Sequence, residues 1–114
     1  MVRRALAAQR ARGWSIGVRL TDDRRIRAIN KKYLHHDAAT DVIAFGYGKK
    51  MGDVVVSADT ARRVAKELGI PFKEELARYL VHGVLHLLGY DDHERQARAR
   101  MHRRQEKILK GIRP

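Results

Sequence analysis

The sequence predicts an α+β domain, a small mixed β-sheet with helices packed on it and a metal site on a helix of the C-terminal half. Three observations carry that expectation. Short β-rich runs and stretches of helical periodicity follow one another in the order helix, strand, helix, strand, strand, then three helices. Hydrophobic residues make up 44% of 114 residues, enough for one core and too many for a disordered chain. There is no cysteine, which excludes disulfide frameworks, thiolate zinc sites and cysteine nucleophiles together. A single domain over residues 1–114 follows from the length. No apolar run approaches the roughly 18 residues of a spanning helix, and Gln9 and Arg10 cut the N-terminal apolar stretch too short for a secretory signal. The expected place is therefore cytoplasmic, with no membrane partner.

Taken in order, Val2 to Ala11 is rich in Ala and Arg and reads as a helix ended near Gly13. Ser15 to Leu20 alternates, with Ile16, Val18 and Leu20 on one side of a half-buried strand. Thr21 can cap a helix opened by Asp22 and Asp23, whose apolar stripe is Ile26, Ile29 and Tyr33 with Leu34 beside them. His35 to Thr40 is a polar connection. Asp41 to Phe45 and Asp53 to Val56 are β-rich, and the glycine-rich stretch between them makes the pair a hairpin. Ser57 caps a helix that Gly69 ends; Pro71 opens the next, which Gly89 ends. A last helix, roughly Glu94 to Lys110, turns Ala97, Met101, Ile108 and Leu109 inward. The helices are expected on one face of the sheet.

Lys and Arg number 25 against 13 acidic residues, a net charge of +12, and 17 of the basic residues are arginine. That exceeds the magnitude of about 2–8 that solubility asks for and points to a polyanion, with nucleic acid first. Seven aromatics argue against extensive base stacking, and Trp14 reads as a core or edge residue.

The chemistry concentrates in His82-Gly83-Val84-Leu85-His86-Leu87-Leu88-Gly89-Tyr90-Asp91-Asp92-His93. Histidines four apart on a helix share a face, about 5–6 Å apart at Cβ, and can reach one ion. Gly89 allows a reversal that returns Asp92 or His93 as third ligand. His93 is favoured because imidazole suits zinc better than a single carboxylate oxygen, and Asp92 competes with it. Asp91 could cap the last helix. His35, His36 and His102 lack the pattern and read as surface residues. Asp41 could orient a ligand histidine or simply begin a strand; Asp53 has the same two readings, with a turn role preferred. In H-E-x-x-H peptidases the residue after the first histidine is the general base; here it is Gly83, which demotes a zinc peptidase. Attack on a phosphodiester by a metal-activated water needs less, with His82 and His86 acting through the metal.

The run from His82 to His93 resembles the signature of the YbeY family, bacterial endoribonucleases of rRNA maturation. Asn30 with Tyr33, Thr40-Asp41-Val42-Ile43-Ala44-Phe45, and Gly52-Asp53-Val54-Val55-Val56-Ser57 match in order, so the likeness runs from about Val18 to Leu109. It implies a zinc-dependent, single-strand-directed endoribonuclease, one ion per chain, that matures the 3′ end of 16S rRNA and serves ribosome quality control. Its partners would be rRNA and the small ribosomal subunit, with Asp41 and Asn30 near ligands or substrate. Three departures stand out: Leu34 replaces the family's arginine, the third histidine of the signature falls on Asp92 with His93 one further, and the family's usual N-terminal strand has no counterpart before the first helix. A non-catalytic, metal-stabilised RNA- or ribosome-binding module is the alternative, distinguished by salt-sensitive binding without turnover.

Overall fold

The computed structural model describes residues 2–35 and 40–112. The elements are α1 (Val2–Ala8), β1 (Ser15–Thr21), α2 (Asp23–Leu34), β2 (Val42–Gly46), β3 (Met51–Ser57), α3 (Ala58–Leu68), α4 (Phe72–Leu87) and α5 (Arg95–Ile112). His36 and most of the polar connection before Thr40 lie outside the described residues.

The order in the sheet is β1-β3-β2, with β1 parallel and β2 antiparallel to β3. β3 is central because its consecutive valines suit burial on both faces, and Val54, Val55 and Val56 are all buried. On one face Val54 and Val56 meet Ala61 of α3 and Tyr79 and Leu80 of α4. Beyond them α1, α4 and α5 close a second cluster of Ala5, Val81, Val84, Leu85, Met101 and Ile108. On the other face Val55 packs with Ile43 and with Ile26 of α2. The expected gathering of helices on one face is corrected here: α2 covers the opposite one, because it must bury Ile26 against the exposed side of β3.

Two apolar expectations fail in part. As an edge strand not covered by α4, β1 leaves Val18 46% and Leu20 53% exposed, and only Ile16 reaches the cores. On α2 Ile26 is buried and Ile29 packs beside it as expected, and Asn30 is buried too, whereas Tyr33 and Leu34 are more than half exposed. The caps are local and mostly hold. Ser57 accepts from Thr60 N at 3.2 Å, and Gly69 adopts φ 67° after α3. Asp22, not Thr21, caps α2, accepting from Arg25 N at 2.8 Å. The first helix stops at Ala8, earlier than Ala11, because Ala11 N turns back to Leu6 O.

α4 lies directly on the sheet at Gly83. A Cβ there would fall 2.5 Å from Val54 Cγ1 and 3.2 Å from Val42 Cγ2, so only glycine permits this approach. The same contact leaves no room for the glutamate that a peptidase helix carries after its first histidine.

Candidate metal centre

With Val81, Gly83, Val84 and Leu85 turned into the cores, α4 presents His82 and His86 on its half-buried face. Their rings meet edge-on with centroids 4.6 Å apart, and the two Nε2 atoms are 3.1 Å apart. After Leu87 the chain reverses through Gly89 at φ 100°, a left-handed conformation that favours glycine. Tyr90 N then bonds Leu85 O at 3.0 Å, and Gln9 Nε2 donates to the Tyr90 hydroxyl at 3.0 Å. So fixed, the turn delivers Asp92, whose Oδ2 lies 3.4 Å from His86 Nε2 and 3.8 Å from His82 Nε2. The three ligand atoms lie within 4.8 Å of one another.

Asp92, rather than the favoured His93, is therefore the residue brought to the histidine pair. Asp91 Oδ1 accepts from His93 N at 2.9 Å, and the His93 ring stands 3.7 Å from that carboxylate with 89% of its side chain exposed. Asp91 thus shapes the turn instead of capping at Glu94. The difference between two adjacent side chains is set by the dihedrals of the reversal, not by ligand preference.

A residue that sequence reasoning missed holds the first of the pair. Gln105 of α5, 6% exposed, places Oε1 2.7 Å from His82 Nδ1. An amide oxygen only accepts, so His82 donates from Nδ1–H, and Nε2 is the ring nitrogen turned toward His86 and Asp92. The amide is itself held: Gln105 Nε2 donates to Glu106 Oε2 at 3.1 Å, and Arg78 donates from Nε and Nη2 to both Glu106 oxygens at 2.9 and 3.1 Å. Arg78 also pairs with buried Glu75. Burial pushes the Glu106 carboxyl up, but hydrogen bonds from Arg78 and Gln105 outweigh it and hold the group below its ordinary value. The one available signal was Gln105 in the stripe of Met101, Ile108 and Leu109, a polar residue where periodicity asks for an apolar one.

This donor set fits a small transition-metal ion. Two nitrogens bound tetrahedrally at about 2.0–2.1 Å sit roughly 3.3 Å apart, close to the separation here. Both imidazoles turn Nε2 toward the shared position, and imidazole with carboxylate suits zinc.

Two clefts meet at Asp92. One, of about 320 Å³, runs along His82 with Asp41, Arg98, His102 and Gln105. The other, of about 750 Å³, runs along His86 with Asn30, Leu34 and Thr40. Asn30 is thus a buried wall residue of the second cleft. Asp41 accepts from Val42 N at 2.7 Å and lines the His82 cleft with Asp92, while Gln105 is the side chain that contacts the His82 ring. Asp53 lies on the far face, where it accepts from the Tyr47 hydroxyl at 2.7 Å. Trp14 is half-buried between α1 and β1, His35 is the exposed C-cap of α2, and His102 is an exposed rim residue.

Fold and cluster together define a class: an α+β domain whose sheet carries, on a helix laid directly against it, two histidines and a carboxylate able to share one ion. A family model described as Endoribonuclease YbeY matches residues 1–113, and the chain belongs to that family. It is 51% identical over 100 residues to an Anaeromyxobacter protein named Endoribonuclease YbeY, covering 82% of this chain and 52% of that one. An Aquifex aeolicus protein of the same name is 46% identical over 97 residues, covering 80% and 64%. The chain thus spans about half to two thirds of the length of these relatives. The solution structure of a Thermotoga maritima protein superposes with a TM-score of 0.69 at 25% identity, covering 96% of this chain and 77% of that one.

Proposed function

We propose that this chain is a zinc-dependent, single-strand-directed endoribonuclease acting in maturation of the 3′ end of 16S rRNA and in ribosome quality control. It would work as one domain, in the cytoplasm, on the small ribosomal subunit. The observation that supports the reading is the cluster of His82, His86 and Asp92, set in a chain of this family with a net charge of +12. Its relatives carry the name endoribonuclease.

His82 Nε2, His86 Nε2 and an Asp92 oxygen are the atoms that would hold the ion, with His93 outside the set. Zinc, when bound, supplies Lewis acidity toward a phosphoryl oxygen and acidifies water. Gln105, accepting from Nδ1–H, would fix the His82 ring with Nε2 toward the ion and make that nitrogen a more basic ligand. Arg98 and His102 line the His82 cleft and put cationic and hydrogen-bonding groups where a phosphate backbone would lie. Among the described residues, Asn30, Leu34 and Thr40 on the opposite wall carry no charge. Near the cluster, Arg98 of α5 thus offers a cation, while the family's arginine after Tyr33 is replaced by Leu34.

The test follows cleavage of an end-labelled single-stranded RNA by the wild type and by His86→Ala, purified identically. Cleavage by the wild type alone, abolished by chelator and restored by zinc, is expected. Equal cleavage by the two proteins would overturn the assignment. Salt-sensitive RNA binding without turnover would replace it with a binding module.

A further inference from the structure

Three of the seven aromatic residues meet in a cleft on the α2 face of the sheet, away from the metal-binding cluster. Its volume is about 470 Å³, within the range of roughly 300–1,000 Å³ that accommodates small ligands. Tyr33 of α2 and Tyr47 of the hairpin turn are walls of this cleft, and both are more than half exposed. Neither ring is loose. Phe45 meets Tyr33 edge-on, with centroids 5.8 Å apart and planes at 75°. The Tyr47 hydroxyl donates to Asp53 Oδ2 at 2.7 Å. Gly17 of β1 makes room for that carboxylate, since a Cβ there would fall 2.3 Å from Asp53 Oδ1. Arg19 lines the same cleft, and Lys32 Nζ lies over one face of the Tyr33 ring, 5.2 Å from its centroid, leaving the stacking role to the other face.

We propose that this cleft is a nucleobase subsite for single-stranded RNA, an inference that rests on reading the chain as an RNA-cleaving protein. Held, solvent-facing aromatic rings are what an unstacked base needs, because every base has a π-face to lay on them. Asp53 at the floor repels phosphate but accepts N–H from a base edge, so a nucleotide enters base first. Arg19, which lines the cleft, then meets its phosphates. The position suits a strand that also reaches the cluster on α4. Tyr33 faces this cleft while its neighbours Asn30 and Leu34 line the cleft of His86, so RNA crossing the edge of β2 touches both. The base held here lies beyond the scissile phosphate and contributes to affinity rather than to bond breaking.

The experiment measures binding of a short fluorescent oligouridine, and of an abasic oligomer of equal length, to the metal-free chain at one fixed salt concentration. Wild type, Tyr33→Ala, Tyr47→Ala and Tyr33→Trp are compared, each checked for native circular dichroism. The wild type should prefer the base-bearing oligomer. Each alanine variant should lose about 5- to 100-fold on it, the range of base–aromatic stacking, and nothing on the abasic one. Tyr33→Trp, which keeps a ring, should retain the affinity, so that loss by ring removal is separated from loss by misfolding. Equal affinity of the alanine variants, or equal loss on both oligomers, would overturn the subsite while leaving the RNA reading intact. A wild type that binds neither oligomer would overturn that reading and the subsite with it.

Discussion

On the α4 side of the sheet, Val54 and Val56 are sealed beneath Ala61, Tyr79 and Leu80, and Met101 and Ile108 of α5 extend the same interior. On the α2 side the core is Ile26, Ile43 and Val55, and the tyrosines beside it open to water. The polar machinery divides the same way. Toward α4, buried and half-buried groups are chained from Glu75 through Arg78, Glu106 and Gln105 to His82. Toward α2, the Tyr47–Asp53 bond stands in the open. Groups that could hold an ion sit where packing immobilises their supports, whereas the aromatic surface on the other face is left exposed.

The largest effect that would test this contrast is on stability. Arg78→Met leaves Glu75, 3% exposed, as a buried charge without its guanidinium, which costs about 3–5 kcal/mol in urea unfolding. Tyr33→Ser on the other side should cost no more than about 0.5 kcal/mol, as exposed positions do. Comparable losses at the two positions would erase the difference between the faces. Next comes Gln105→Leu, which removes the acceptor of His82 Nδ1–H while conserving bulk. Zinc affinity by calorimetry should fall roughly 10- to 100-fold, with the metal-free melting temperature nearly unchanged and the His82 tautomer signature lost in nitrogen NMR. Unaltered affinity would deny Gln105 its positioning role.

The smallest effect is acid sensitivity on the α2 side. Hydrogen bonds from Ser57 at 2.6 Å and Thr60 at 2.7 Å, with Arg63 beside them, hold the Asp23 carboxyl below its ordinary value of 3.8. A depressed folded value means that this stabilisation is complete above the unfolded value and is lost as pH falls through the folded one. Asp23→Asn should therefore flatten the stability profile below about pH 4 and barely alter its shape near neutrality. An unchanged acid limb would show that Asp23 is not part of the anchor.

What was legible in the sequence was whatever is decided within a few residues. Ser57, Gly69 and Gly89 mark helix ends because capping and left-handed turns are local chemistry, and His82 with His86 share a face through helix geometry alone. What was not legible depends on distant packing. Val18 and Leu20 alternate as a half-buried strand should, yet strand order puts them at an open edge. Asp92 and His93 differ by one position, and only the reversal held by Tyr90 against Leu85 and Gln9 decides which of them faces the pair. Gln105 reaches His82 from 23 residues away, a partnership that no local pattern announces.

The contact of Gly83 with Val54 has a consequence for how this sequence can drift. Positions 83, 54 and 42 form one steric unit, so any lineage that enlarges the first must shrink the others together, and these positions should covary among descendants of the chain. A glutamate beside His82 is therefore several coordinated substitutions away rather than one. The seating of α4 on the sheet works as an evolutionary ratchet, closing the shortest route from this site to glutamate-assisted hydrolysis.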